Sequence, residues 1–126
     1  MPAEVVITKP GLRDYIKAEC KKRGLDYRVV YAVIEVESNW QHDLVGDDGE
    51  SFGLMQIQPR WHQKRMERLG VTDLLDPEQN VKVGCDLLAE LITKTDGDLD
   101  AALTIYNVGH DNGSREYANK VYEEMR

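Results

Sequence analysis

Along most of this chain the hydrophobic residues return every three or four positions, the spacing that gathers them on one side of an α-helix. Leu12, Tyr15, Ile16 and Cys20 form the first such stripe, and Gly24 supplies a left-handed stop. Asp26 is placed to cap a second helix, Tyr27 to about Ser38, in which Val29, Val30, Tyr31, Ala32, Val33, Ile34 and Val36 leave almost no polar side. The β-branched residues also suit a strand, but the length favours a helix, and its apolar character makes it the expected centre of the core. From Asn39 to Phe52 the periodicity gives way to a polar loop with Gly46, Asp47, Asp48, Gly49 and Ser51. Pro59 is expected to open a third helix that holds Trp61, Met66 and Leu69 and stops at Gly70. Asp76-Pro77-Glu78-Gln79 reads as a capping box for a fourth helix through Val81, Cys85, Leu88, Leu91 and Ile92. Asp98 is expected to cap a fifth, with Leu99, Ala102, Leu103 and Tyr106. After a turn from Gly109 to Gly113, Ser114 is expected to open a sixth helix bearing Tyr117, Ala118, Val121, Tyr122 and Met125. The pattern predicts one predominantly α-helical domain, with residues 1–11 as a leading arm and 12–126 as its core.

Composition narrows the function classes. The 126 residues are 41% hydrophobic and 31% charged, a balance that supports a packed core and argues against disorder. No apolar stretch approaches the roughly 20 residues that span a bilayer, so membrane insertion is not expected. The segment Met1 to Pro10 lacks the basic start and long apolar run of a secretory signal. Sixteen Lys and Arg against twenty-three Asp and Glu give a net charge of −7. The one basic cluster, Arg60, Lys64, Arg65 and Arg68, is set against Asp47, Asp48 and Glu50, so nucleic acid is not an expected partner. Cys20 and Cys85 fit no metal-ligand spacing; two buried thiols are the favoured reading, one helix-to-helix disulfide the other. His42, His62 and His110 are scattered. Asp96, Asp98 and Asp100 alternate like calcium-loop ligands, but Ala101 stands where such a loop needs glycine, and helix capping accounts for them better. No metal or cofactor is expected.

Glu37 is the most informative residue. It follows Ile34, Val33 and Val30 by three, four and seven positions, so it projects from the apolar face of its helix. A carboxyl placed there loses hydration and becomes harder to ionise. Two roles fit it equally well on periodicity: a buried structural glutamate, or a general acid. Glu35, beside Arg28, Tyr31 and Ala32 on a half-polar face, reads as structural or solvated.

Four segments in order extend this reading: Glu37-Ser38-Asn39-Trp40, then Gly53-Leu54-Met55-Gln56-Ile57, then Ala102 to Gly109 with Tyr106-Asn107 inside it, then Tyr117-Ala118-Asn119-Lys120-Val121. Together they resemble the soluble lytic transglycosylase catalytic domain of the lysozyme-like superfamily, from about Leu12 to Met125. The resemblance implies a mostly helical α+β lysozyme-like fold of about six helices with a glycan cleft, and peptidoglycan glycan strands as the partner. It implies that Glu37 is the sole catalytic acid/base and that Ser38 completes its Glu-Ser pair. Gly53, Leu54, Met55 and Gln56 match the segment lining the glycan groove. Tyr106 and Asn107 match a Tyr-Asn pair, the tyrosine steadying the carboxyl and the amide contacting sugar, and Tyr117 matches a further tyrosine close by. Action at the bacterial cell wall as a monomer is expected, with delivery by a phage particle, a secretion apparatus or a larger parent chain.

The chain departs from the family pattern in three places. The approach to Gly53, Gly46 to Phe52, is longer and more acidic, Ile105 stands where alanine is usual, and Val108 replaces a small residue. Asp47, Asp48 and Glu50 are expected to be solvated turn formers rather than a second acid. Trp61 is assigned to the core in preference to a sugar-stacking role, and Trp40 fits either. A hydrolytic muramidase that uses a loop carboxylate, and a non-catalytic glycan-binding module, stand as the alternative functions.

Overall fold

The structure, a computed structural model, describes residues 11–126; the leading arm expected over 1–11 lies outside them except for Gly11. Six α-helices are described: α1 (Leu12–Arg23), α2 (Tyr27–Ser38), α3 (Gln63–Leu69), α4 (Pro77–Lys94), α5 (Leu99–Val108) and α6 (Glu116–Glu124). Between α2 and α3 lies a small antiparallel hairpin of β1 (Val45–Gly46) and β2 (Ser51–Phe52), with Val45 opposite Phe52 and Gly46 opposite Ser51.

Local chemistry explains most boundaries. The Asp26 and Asp98 carboxylates accept the amides of Arg28 and Ala101 at the starts of α2 and α5, and Gly24, Gly70 and Gly109 close α1, α3 and α5 in the left-handed region. At α4 only half of the capping box forms. Asp76 accepts the Gln79 amide, but the Gln79 side chain turns outward to accept the amides of Thr72 and Asp73. Two starts fall later than the sequence pattern suggests. Pro59–Trp61 is a single 3-10 turn, and His62, at φ −129°, breaks the path before α3 begins at Gln63. Ser114 precedes α6 by two residues, its hydroxyl accepting the Glu116 amide at 3.4 Å.

The core is shared between α2 and α4. The first packs against α1 and α6, and the second against α1, α3 and α5. Ile16, Val30, Val33, Ile34, Leu88, Leu103 and Val121 are sealed from solvent among them, each such side chain stabilising the fold by about 1.5–3 kcal/mol on burial. Asp86 on α4 ties three elements together. It accepts Arg23 of α1 at 2.7 Å and both Arg65 and Arg68 of α3 at 2.6 Å. Arg65 and Arg68 of the basic cluster around α3 are thus taken up in ion pairs, as is Arg60 with Glu50. Cys20 and Cys85 are buried free thiols. The hydrogen bond between them, with burial, pushes the Cys85 thiol well above its ordinary value. Trp40 is a structural anchor: its indole N–H donates to Glu35 Oε2 at 2.6 Å, and the Arg13 guanidinium stacks 4.0 Å from its ring.

Candidate active site

The α2 helix carries Glu37 as its next-to-last residue, just before Asn39 and Trp40, both at positive φ (51° and 66°), swing the chain away. That sharp exit opens the end of α2 onto a cavity of about 760 Å³. Glu37, Gln56, Tyr106 and Asn107 line it, along with Asp47 and Trp61. A smaller cavity of about 260 Å³, sharing Asn107 and Val108, continues past Tyr117 and Lys120.

Glu37 is anchored at one oxygen. Tyr117 Oη donates to Glu37 Oε2 at 2.6 Å, a short bond of the kind a carboxylate accepts from a hydroxyl. Burial pushes the Glu37 carboxyl above the ordinary carboxylate range. The Tyr117 bond pulls it down, the negative charge of Asp47 pushes it up and Lys120 pulls it down, and the upward influences win. Tyr117 is itself held well above its normal value, first by burial and then by the charge of Glu37. It therefore stays a phenol and a donor. A half-buried acid that keeps its proton at higher pH, aimed from a helix into a cavity, is equipped to protonate a leaving oxygen.

The tyrosine beside Glu37 is not the one the sequence pattern suggested. Tyr106 Oη donates instead to the Met55 carbonyl at 2.7 Å, and its ring stacks on Tyr117 with centroids 6.5 Å apart. Tyr106 thus joins α5 to the Gly53–Gln56 segment, while the hydroxyl that touches the carboxyl comes from α6. Burial and the Glu37 charge hold Tyr106 well above the normal phenol range too.

The remaining expected residues divide into lining and support. Gln56 and Asn107 reach the cavity. Ser38 is buried, its hydroxyl donating back to Ile34 O at 3.1 Å within α2. Gly53, Leu54 and Met55 are buried too, and form the wall rather than the lining. What holds that wall is Asn80 of α4, a residue the sequence reading missed. Its Oδ1 accepts the Met55 amide at 2.8 Å, and its Nδ2 donates to Phe52 O at 2.7 Å and Leu74 O at 2.8 Å. The available signal was an asparagine next to Val81 on the apolar side of a helix. Trp61 corrects the sequence reading more directly. It is 67% exposed and lines the cavity, with Arg60 stacked on it at 4.6 Å and Arg60 in turn paired with Glu50 at 2.8 Å. The 3-10 turn in place of a helix start points it outward. His62 beside it is held below the ordinary histidine range by burial and by Arg65, against the opposing pull of Glu90.

The Transglycosylase SLT domain family model matches residues 14–124, nearly the whole chain. The chain belongs to this family. Membrane-bound lytic murein transglycosylase F of Pseudomonas fluorescens is 32% identical over 119 residues, 88% of this chain and 24% of that protein. A transglycosylase of Enterobacteria phage PRD1 is 33% identical over 115 residues, 87% of this chain and 41% of that one. The X-ray structure of an inactive Glu-to-Gln mutant of the lytic transglycosylase Slt from Pseudomonas aeruginosa superposes with a TM-score of 0.70 at 24% identity, over 90% of this chain and 20% of that one. The SLT chain therefore has the lysozyme-like fold and spans about a quarter of the length of the murein transglycosylase it matches. Among its described residues no helix is long and apolar enough to cross a membrane, and no group of His, Cys, Asp and Glu is arranged to hold a metal ion.

Proposed function

We propose that this SLT domain is a peptidoglycan lytic transglycosylase in which Glu37 acts as both general acid and general base. The observation that carries the reading is the Glu37 carboxyl itself, half-buried at the cavity, raised above its ordinary range and bonded at 2.6 Å to a phenol. Glu37 donates its proton to the glycosidic oxygen between N-acetylmuramic acid and N-acetylglucosamine as the bond to the muramic anomeric carbon breaks. The substrate's N-acetyl group supports the developing positive charge. Glu37, now a carboxylate, takes the proton of the muramic C6 hydroxyl while that oxygen bonds to the anomeric carbon. The acid is regenerated, no water enters, and a 1,6-anhydromuramoyl end results. A nucleophile carried by the substrate gains from proximity and needs no placed water.

Gln56, Asn107 and Trp61 are the side chains we assign to the glycan, the indole as an apolar platform for a sugar face. Tyr117 steadies the acid, and Tyr106, Asn80 and the Gly53–Met55 segment shape the wall. The net charge of −7 opposes encounter with an anionic wall. We assign delivery to something else, a larger parent chain or a phage particle, as the nature of the relatives suggests.

Mass spectrometry of muropeptides released from purified peptidoglycan tests the reaction. Anhydro-ended products, each lighter by one water than the reducing muropeptide, are expected. Reducing ends that carry heavy oxygen from labelled water would overturn the reading in favour of a muramidase.

A further inference from the structure

Of the three acidic residues in the turn between β1 and β2, one differs from its neighbours. All three are exposed to solvent, but Glu50 is engaged outward by Arg60 and Asp48 lies away from the cavity, whereas Asp47 lines it together with Glu37. It is also fixed in place. Ser51 Oγ donates to Asp47 Oδ2 at 2.6 Å, Ser51 is 1% exposed, and its hydroxyl oxygen accepts Gln58 Nε2 at 3.1 Å. The backbone at Asp47 is left-handed, φ 50°. Gly46 just before it lies so close to Gln56 that a Cβ there would stand 2.5 Å from Oε1. The positive φ, which Asp48 shares, belongs to the hairpin turn; the chain of side-chain bonds from Gln58 through Ser51 to the carboxylate is additional to it. A buried hydroxyl aimed at a carboxylate, itself held by an amide, is the support that keeps a charge at a chosen place.

Resting on the reading of Glu37 as proton donor, we propose that Asp47 is a positioning residue of the same site: fixed by Ser51 and Gln58, it holds a negative charge near Glu37 that keeps Glu37 in its protonated, donor form. The groups that bear on Glu37 come from three elements. Tyr117 and Lys120 on α6 favour its ionised form, burial and Asp47 from the hairpin favour the neutral one, and Tyr106 on α5 is an un-ionised phenol. Like charges facing one cavity resist simultaneous ionisation, most of all where one of them, here Glu37, is partly withdrawn from water. Asp47 thus extends upward the pH range in which the acid is ready, and it acts through Glu37 rather than on the sugar.

The test follows the Glu37 carboxyl carbon by NMR titration in protein labelled with 13C-glutamate, beside the pH profile of kcat/KM on purified peptidoglycan. In Asp47→Asn the Glu37 midpoint and the alkaline limb of the profile are both expected to fall by about half a pH unit or more. Ser51→Ala, which frees the carboxylate to swing away from Glu37, is expected to move both the same way by less, and Asp48→Asn to move neither. A Glu37 midpoint in Asp47→Asn that is unchanged or higher overturns the proposal. Should Asp47→Asn fail to fold, Ser51→Ala decides by the same titration: a downward shift supports the proposal and an unchanged midpoint overturns it. Full turnover by Glu37→Gln is a separate result, which removes the underlying reading of Glu37 itself.

Discussion

Glu37 and the two stacked tyrosines make the residue-scale chemistry, and each gives a distinct expectation. Glu37→Gln keeps the shape and loses the proton, so activity should fall by roughly hundreds-fold or more with an unchanged circular dichroism spectrum. The same variant should be more heat-stable at neutral pH. A carboxyl raised on folding contributes stability below its unfolded value that is lost as pH rises through its folded value, and glutamine has no such loss. The difference in Tm between the two proteins should vanish below the ordinary carboxylate range. Tyr117→Phe removes the bond that favours the ionised acid, so the alkaline limb of kcat/KM should move up in pH while kcat falls. Glu37 was legible because a carboxylate on an apolar face is conspicuous. The exchange of roles between Tyr106 and Tyr117 was not, because helical spacing does not reveal which of two hydroxyls, on helices far apart in the chain, arrives at one oxygen.

At the scale of elements, the wall segment Gly53–Gln56 has almost no regular structure and depends on α4 for its shape. Asn80→Ala would strand the Met55 amide and the Leu74 carbonyl and take one of two partners from the Phe52 carbonyl, which keeps the Ile57 amide, and chemical denaturation should show a loss of about 2–4 kcal/mol. Gly84, one turn further along α4, lets the same segment come close. A Cβ at Gly84 would stand 2.2 Å from Met55 Sδ, and Met55 is sealed in the core with little room to retreat. Gly84→Ala should therefore cost about 1–3 kcal/mol and disturb the carbonyl that receives Tyr106. The helices were legible from their caps and stripes. The hairpin was not: strands of two residues are too short to establish an alternation, and Asp47 and Asp48 at positive φ read simply as polar loop. The orientation of Trp61 went the same way, since a proline that can begin a helix here begins only one 3-10 turn.

Across the whole molecule, Asp86 is the charge that joins distant parts of the chain. Burial alone would raise its carboxyl, but the bonds from Arg68 and Arg65 win and hold it at about 2. A depressed acid contributes stability above its unfolded value, and that contribution is lost as pH falls toward 2. Because Arg68 is largely exposed, the contribution is on the order of 1–2 kcal/mol. Acid titration of Asp86→Asn should show a shallower loss of stability between about pH 4 and pH 2 than the parent. This convergence of three arginines was beyond sequence reading, which saw a basic stripe and not the aspartate 18 to 63 residues away that absorbs it. The thiol pair at the α1–α4 contact turns the same architecture into a clock. Cys20 and Cys85 are shut away from solvent, so a thiol reagent can mark them only in the moments when these two helices part. The rate of labelling in native buffer counts those openings, and a single glycan-filled cleft or a single lost arginine should be audible in it as a slower or faster tick.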